Sequence, residues 1–315
     1  MGKEMKYKDL FGPVLSRRLG MSLGVDLMPH KTCSMDCVYC ECGPTTKLTT
    51  VLKEYVPTRK VIEELSDFLG KKPKLDYVTF SGSGEPTLHS GIGRIIEFVK
   101  KNFAEYKIAL LTNGSMFSNA DVRRNVIHAD LILPSLDAVS EGNFKKINKP
   151  FGLMDNKKII AGLVSLRKAF KGKILLEIFI VPGINDSQTE LRLLKNAVKK
   201  IRPDMVQINT LDRPGTEDWV VPAGMDKLKA VAKYFGKNTE IVAKAGNNKS
   251  RKGYFIKTEN EILDTIKRRP CTFGDLLNIT GLTKSGLKKY TENLLSEGKI
   301  APERQPRGVF FKARD

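Results

Sequence analysis

The chain has 315 residues, with 54 Lys+Arg against 35 Asp+Glu, a formal net charge of +19, and 41% hydrophobic residues. This is the composition of a folded globular protein, and the length allows two or three domains. Its apolar runs, such as Ile174–Pro182, are broken by charge and fall well short of the ~18 residues a spanning helix needs, so no membrane segment is expected.

Met1–Leu10 is polar and shows no export-signal pattern. Of five cysteines, four lie within Cys33–Cys42. An odd count in one tight group does not make a disulfide scaffold, so a cytoplasmic chain with reduced thiols is expected. The charge points to a polyanionic partner, nucleic acid above all, against the plainer reading of a lysine-rich solubility surface.

In chain order, an apolar strand is predicted at Leu23–Met28, then a helix at Thr58–Gly70, whose Val61, Ile62, Leu65, Phe68 and Leu69 recur at helical spacing. Strand Tyr77–Phe80, helix Ile92–Val99, strand Ile108–Thr112 and strand Asp130–Pro134 follow. Helix Lys157–Phe170, strand Ile174–Val181, helix Glu190–Lys200, strand Met205–Thr210, helix Met225–Phe235 and a short strand at Glu240–Ala243 complete the alternation. Buried strands interleaved with amphipathic helices predict an α/β fold: a parallel sheet with right-handed crossovers, either a full or a partial barrel. The polar and glycine-bearing residues collect at the C-terminal ends of the strands, where such sheets bind ligands.

Ala245–Gly253 has no apolar anchor and reads as a linker between residues 1–244 and residues 254–315. Beyond it, helices at Glu259–Arg268, Thr272–Ile279 and Leu282–Glu297 precede short strands at Lys299–Ala301 and Val309–Lys312, the layout of a winged helix. The third helix would carry Lys284, Lys288 and Lys289, and the hairpin tip Arg304 and Arg307, as candidate nucleic-acid contacts. Packing against protein is the other reading. Residues 251–315 hold 14 basic and 8 acidic residues, so most of the +19 belongs to the larger part.

Cys33, Cys37 and Cys40 stand at C-x3-C-x2-C. Three closely spaced thiolates on a four-iron cluster leave one iron open for chemistry. Structural zinc with Cys42 as fourth ligand is the other reading.

C-x3-C-x-aromatic-C, with Tyr39 as the aromatic, resembles the signature of the radical S-adenosylmethionine (SAM) superfamily. Ser81–Pro86 (SGSGEP) resembles its GGE motif, with Ser83 in place of the first glycine. Leu111–Ser115, Ser135 with Asp137, and Glu177–Asp186 resemble its later strand ends. The match runs over roughly residues 10–240. The resemblance implies a partial (β/α)6 barrel, a 4Fe-4S cluster on Cys33, Cys37 and Cys40, and SAM bound through its amino and carboxylate groups. Electron transfer from a donor such as flavodoxin or ferredoxin would then yield a 5′-deoxyadenosyl radical.

In such a site Glu85 would accept from the methionine ammonium, Gly82, Ser83 and Gly84 would form the loop's close backbone approach, and Ser135 and Asp137 would meet the ribose. Tyr39 would lie beside adenine. Asn113 reads equally as a SAM contact or a left-handed turn residue. Glu177 inside an apolar strand demands either a ligand or a buried Lys/Arg partner. Further segments, including Cys37–Gly43 and Thr79–His89, resemble short radical SAM proteins grouped with wyosine-type tRNA modification enzymes, although no cysteine precedes Cys33 to hold a second cluster.

Among the remaining residues, Cys42 reads as a neutral buried thiol or a hydrogen donor near the cluster, and Cys271 as structural. His89 reads as helix N-terminal packing, and Arg17 with Arg18 as either an anion contact or plain surface. The reading carried forward is a radical SAM enzyme acting on tRNA or another RNA, with a protein or peptide maturase second and an iron–sulfur DNA-binding sensor third.

Overall fold

The computed structural model describes residues 7–16, 18–242, 259–305 and 308–314. Strand β1 (Leu10–Ser16) runs antiparallel to β2 (Gly20–Val25), and a short pair, β3 (Thr32–Cys33) with β4 (Lys47–Leu48), frames the cysteine loop. Then come α1 (Thr58–Leu69), β5 (Tyr77–Phe80), α2 (Ile92–Asn102), β6 (Lys107–Thr112), α3 (Ala120–Asn125), β7 (Leu131–Pro134), α4 (Glu141–Asn148) and α5 (Asn156–Ala169). The large sheet is completed by β8 (Lys173–Phe179), α6 (Gln188–Ile201), β9 (Met205–Asn209), α7 (Met225–Phe235) and β10 (Thr239–Ile241).

The strands lie in the order β1-β2-β5-β6-β7-β8-β9-β10, parallel from β2 onward. Among the described residues the sheet stays open at β1 and β10, a partial rather than a closed barrel. The central strands are apolar on both faces, which accounts for their unbroken hydrophobic runs. Ile108 and Leu110 pack into the main core shared with the helices, whereas Ala109, Leu131 and Leu133 form a separate small cluster with Leu19. Helix α1 buries Val61, Leu65, Phe68 and Leu69, its predicted apolar face.

A second group of elements comprises α8 (Glu259–Arg268), β11 (Cys271–Thr272), α9 (Phe273–Thr280), α10 (Lys284–Ser296), β12 (Ile300–Gln305) and β13 (Gly308–Ala313). Its strands pair in the order β11-β13-β12 around a core of its own, built on Ile262, Ile266, Leu276, Leu287, Leu294 and Ile300. Thr272 and Asp275 form a reciprocal capping box at the start of α9. This group rests on the large sheet: Val14 of β1 packs into its core, and Arg268 forms an ion pair with Asp26 at 3.2 Å.

Several sequence expectations are corrected. The first predicted strand ends at Val25 rather than Met28, because Asp26 onward turns into the cysteine loop. The segment before it is itself strand β1. The turn helices α3 and α4 carried too few apolar positions to announce themselves. Arg304 lies within β12 opposite Val309 rather than at a tip, since the strand runs on to Gln305. Cys271 precedes its helix in a short strand. The expected linker at 245–253, Ala243, Arg17 and Arg307 lie outside the described residues. No helix of the described residues is long and apolar enough to cross a membrane.

Candidate active site

The parallel strands bring their C-terminal ends to one edge, and the cysteine loop closes over it. Backbone bonds bind the loop to its neighbours. Lys31 donates to Ser83 O at 2.9 Å, Glu85 donates to Thr32 O at 3.2 Å, and Thr49 donates to Cys33 O at 2.8 Å. A Cβ on Gly84 would lie 2.1 Å from Thr32 O, and one on Gly82 would lie 2.1 Å from the Asp26 carboxyl carbon. Close approach therefore leaves no room for a side chain at Gly84, against backbone, while at Gly82 the Asp26 side chain would have to move; in both cases the neighbour is the protein's own loop. Ser83 donates from its backbone and its hydroxyl to Asp26 Oδ2, at 3.1 and 3.0 Å.

Each of the three motif sulfurs has an N–H donor aimed at it. Lys31 Nζ reaches Cys40 Sγ at 3.0 Å, Asn113 Nδ2 reaches Cys33 Sγ at 3.5 Å, and Asn148 Nδ2 reaches Cys37 Sγ at 3.5 Å. Burial pushes the Cys33 thiol up to about 12 and the Cys37 thiol well above its ordinary value. The Cys42 thiol, donating to Cys40, holds Cys40 below the ordinary thiol range, helped by Lys31. Burial opposes the Lys31 ammonium, yet the Cys40 thiolate beside it keeps its pKa raised. Among the described residues no three ligand-type side chains close on one ion-sized point. Three thiols on one loop, each with an N–H donor on its sulfur, fit the soft thiolate demands of a multi-iron cluster.

Glu85 is almost wholly buried and accepts four hydrogen bonds. Its Oε1 accepts from Thr87 N at 3.0 Å, Thr87 Oγ1 at 2.5 Å and Thr112 Oγ1 at 2.7 Å, and its Oε2 accepts from Asn113 N at 2.7 Å. It thus ties the end of β5 to the end of β6; Oε1 is fully engaged, whereas Oε2, with one donor, keeps room for another. Burial raises the Glu85 carboxyl, against the pull of these bonds.

Asp137 accepts from Tyr39 OH at 2.6 Å, Asn148 Nδ2 at 2.7 Å and Phe179 N at 2.9 Å, and burial pushes it up to about 6. The Tyr39 ring stacks on Phe179 with centroids 3.8 Å apart. Asp137 therefore orients the cysteine-loop aromatic and, through Asn148, reaches Cys37. Its own loop is clamped by Glu190, which accepts from Val139 N, Ser140 and Asn143. Asn113, Ser135 and Asp137 line one cleft with Met35 and Asn148. Glu177 receives Arg18 Nη1 at 2.5 Å, a partly exposed cationic partner that offsets the burial of its carboxylate, and Ser135 Oγ lies 3.5 Å away.

Lys31, Asp26, Asn148, Phe179 and Asn185, which donates to the Asp137 carbonyl at 2.8 Å, were not singled out from sequence. Lys31 lies two positions before Cys33, and Phe179 and Asn185 lie inside the Glu177–Asp186 segment, so these three had a local signal. Arg213, 7% exposed, bridges the two groups of elements: Nη1 reaches Pro270 O at 2.6 Å and Asp275 Oδ2 at 3.1 Å, and Nε lies 3.5 Å from Glu41 Oε2. His89 is buried and satisfied, accepting from Gly91 N while its other ring nitrogen meets Val56 O. Lys284, Lys288, Lys289 and Arg304 are all exposed on other elements. Lys284 and Lys288 border a cavity of about 480 Å³ with Phe273, Leu295 and Phe311.

An open parallel sheet whose strand-end edge is capped by a C-x3-C-x2-C loop places three cysteines where α/β sheets bind their ligands. The radical SAM superfamily matches residues 27–194, and the chain belongs to that superfamily of enzymes. Its members work with a 4Fe-4S cluster and SAM. The UPF0026 protein MJ1312 of Methanocaldococcus jannaschii is 31% identical over 324 residues, 97% of this chain and 97% of that one. A protein of Brachyspira hyodysenteriae described as GTPase Obg is 35% identical over 302 residues; the match takes in 95% of this chain but only 44% of that relative's length.

Of the solved structures, TYW1 with a lysine-pyruvate adduct bound superposes with a TM-score of 0.53 at 16% identity, over 69% of this chain and 74% of that one. SuiB of Streptococcus suis bound to the precursor peptide SuiA gives 0.53 at 11% identity, over 69% and 48%. At these identities the likeness is one of fold, and it is the partial-barrel fold expected from the sequence.

Proposed function

We propose that this chain carries a 4Fe-4S cluster on Cys33, Cys37 and Cys40, cleaves SAM reductively at the iron they leave open, and modifies tRNA or another RNA. The observation that carries the first part is the set of three N–H donors on the three motif sulfurs. A cluster held by Cys33, Cys37 and Cys40 would supply one-electron reduction of SAM to methionine and a hydrogen-abstracting 5′-deoxyadenosyl radical, with a flavodoxin or ferredoxin as the electron source. The chain's own residues orient and enclose. Tyr39, fixed by Asp137 and Phe179, presents an aromatic face for adenine. Ser135 offers a ribose partner, and the remaining lone pair of Glu85 Oε2 offers an acceptor for the methionine ammonium.

The RNA reading rests on charge. The order α8-β11-α9-α10-β12-β13 supports a winged-helix unit over residues 254–315, joined by a linker at 245–253 to the catalytic unit 1–244. Exposed Lys284, Lys288 and Lys289 on α10, with Arg304 on β12, suit phosphate contacts.

Anaerobic reconstitution should give about four irons per chain and slow release of 5′-deoxyadenosine on reduction. Retention of that activity in Cys37→Ala would sink the cluster assignment. Mass spectrometry of tRNA nucleosides from a deletion strain and its parent should reveal a missing modification. An unchanged nucleoside set, with salt-insensitive substrate binding, would favour a peptide substrate instead.

A further inference from the structure

We propose that Lys31 is a positioning residue for electron entry: its buried ammonium, held against Cys40 Sγ, makes the cluster easier to reduce. The inference rests on the cluster assignment above and concerns a residue outside the cysteine motif. Lys31 is only 3% exposed, and its Nζ lies 3.0 Å from Cys40 Sγ. Its backbone sits at φ 52°, a left-handed conformation that a side chain with a Cβ rarely adopts. Both neighbouring loops hold it there. Its N–H donates to Ser83 O at 2.9 Å, and its carbonyl accepts from Thr46 N and Lys47 N, each at 3.0 Å.

Burying an amine in a strained backbone is costly on two counts, and pairing the charge with a thiolate offsets one of them. The other two motif sulfurs receive neutral amide donors, from Asn113 and Asn148, at the longer distance of 3.5 Å. Cys40 is the motif cysteine with a full charge on its sulfur, and a charge-assisted hydrogen bond is the stronger kind.

Reduction potentials of thiolate-held clusters follow net charge and the hydrogen bonds to their sulfurs. A fixed positive charge favours the state with one more electron, so the potential rises. The lysine stem could fill the same space without its charge, and that plainer role predicts no change in potential.

The test uses the full-length, anaerobically reconstituted chain and its Lys31→Met, Lys31→Gln and Lys31→Arg variants, with iron content and a dithionite titration followed by electron paramagnetic resonance. Lys31→Met should lower the one-electron equilibrium constant for reduction at least tenfold, a shift of 59 mV. Lys31→Gln, which keeps a donor but no charge, should fall in the same direction, and Lys31→Arg should stay within threefold of the parent. Loss of the cluster in both neutral variants with retention in Lys31→Arg also supports the charge. Equal potentials in the parent and a cluster-bearing neutral variant overturn the proposal, as does loss of the cluster in all three variants. Absence of a cluster from the parent would instead overturn the assignment on which the proposal rests.

Discussion

Removing the Glu85 carboxylate should destabilise the protein before any ligand is added. In Glu85→Ala, four donors lose their acceptor: Thr87 N, Thr87 Oγ1, Thr112 Oγ1 and Asn113 N. The two hydroxyls can rotate toward other partners, but the two backbone N–H groups cannot. A buried donor left without a partner costs ~1–3 kcal/mol, so the pair costs about 2–6 kcal/mol. At roughly 2–4 °C per kcal/mol for a domain of this size, the melting temperature should fall by at least about 4 °C.

Glu85→Gln sharpens the test. Its carbonyl oxygen can keep the three bonds to Oε1, while its amide NH2 would face Asn113 N, donor against donor. About half the alanine effect, ~1–3 kcal/mol, is expected. Thermal unfolding of the cluster-free protein, followed by circular dichroism, reads both variants. If Glu85→Ala melts within 1 °C of the parent, the scaffolding role is refuted, and loss of SAM affinity alone would mark Glu85 purely as a ligand contact.

Gly84→Ala, whose Cβ would meet backbone oxygen, should displace the cysteine loop and cost on the order of 1–3 kcal/mol, seen as lower stability and reduced iron uptake after reconstitution. Arg213→Ala leaves Asp275 and Glu41 facing an empty buried position, and should cost ~3–5 kcal/mol, read as faster proteolysis and hydrogen exchange in α8 and α9 while β5–β7 stay protected. Tyr39→Phe keeps the stack on Phe179 but removes a hydrogen bond to a buried carboxylate, for a loss of about 1.5–3 kcal/mol in thermal or urea unfolding. Replacing Lys284, Lys288 and Lys289 together with Ala should flatten the salt dependence of RNA affinity, by about 0.7 in log–log slope for each single-strand phosphate no longer neutralised. An unchanged slope would remove α10 from the RNA interface.

The spacing of the cysteines, the alternation of strands and helices, and the order of the strand-end motifs were legible in the chain alone, because each depends on residues a few positions apart. Apolar runs such as Tyr77–Phe80 and Ile108–Thr112 commit to buried strands wherever they are placed. The cysteine motif likewise carries its three thiols on one short loop.

What those residues do to one another was settled only by the tertiary fold. Asp137 shows in the sequence no sign that Tyr39, 98 positions away, bonds to it. Glu177 reads as a ligand or half of an ion pair until Arg18 arrives from the opposite end of the barrel sequence. Asp26, Asn148 and Arg213 look like ordinary polar residues, since their partners lie 57, 111 and 62 positions away. A buried polar group needs a partner, and the one-dimensional chain shows the need; only the folded sheet, by bringing distant strand ends to one edge, supplies the partner.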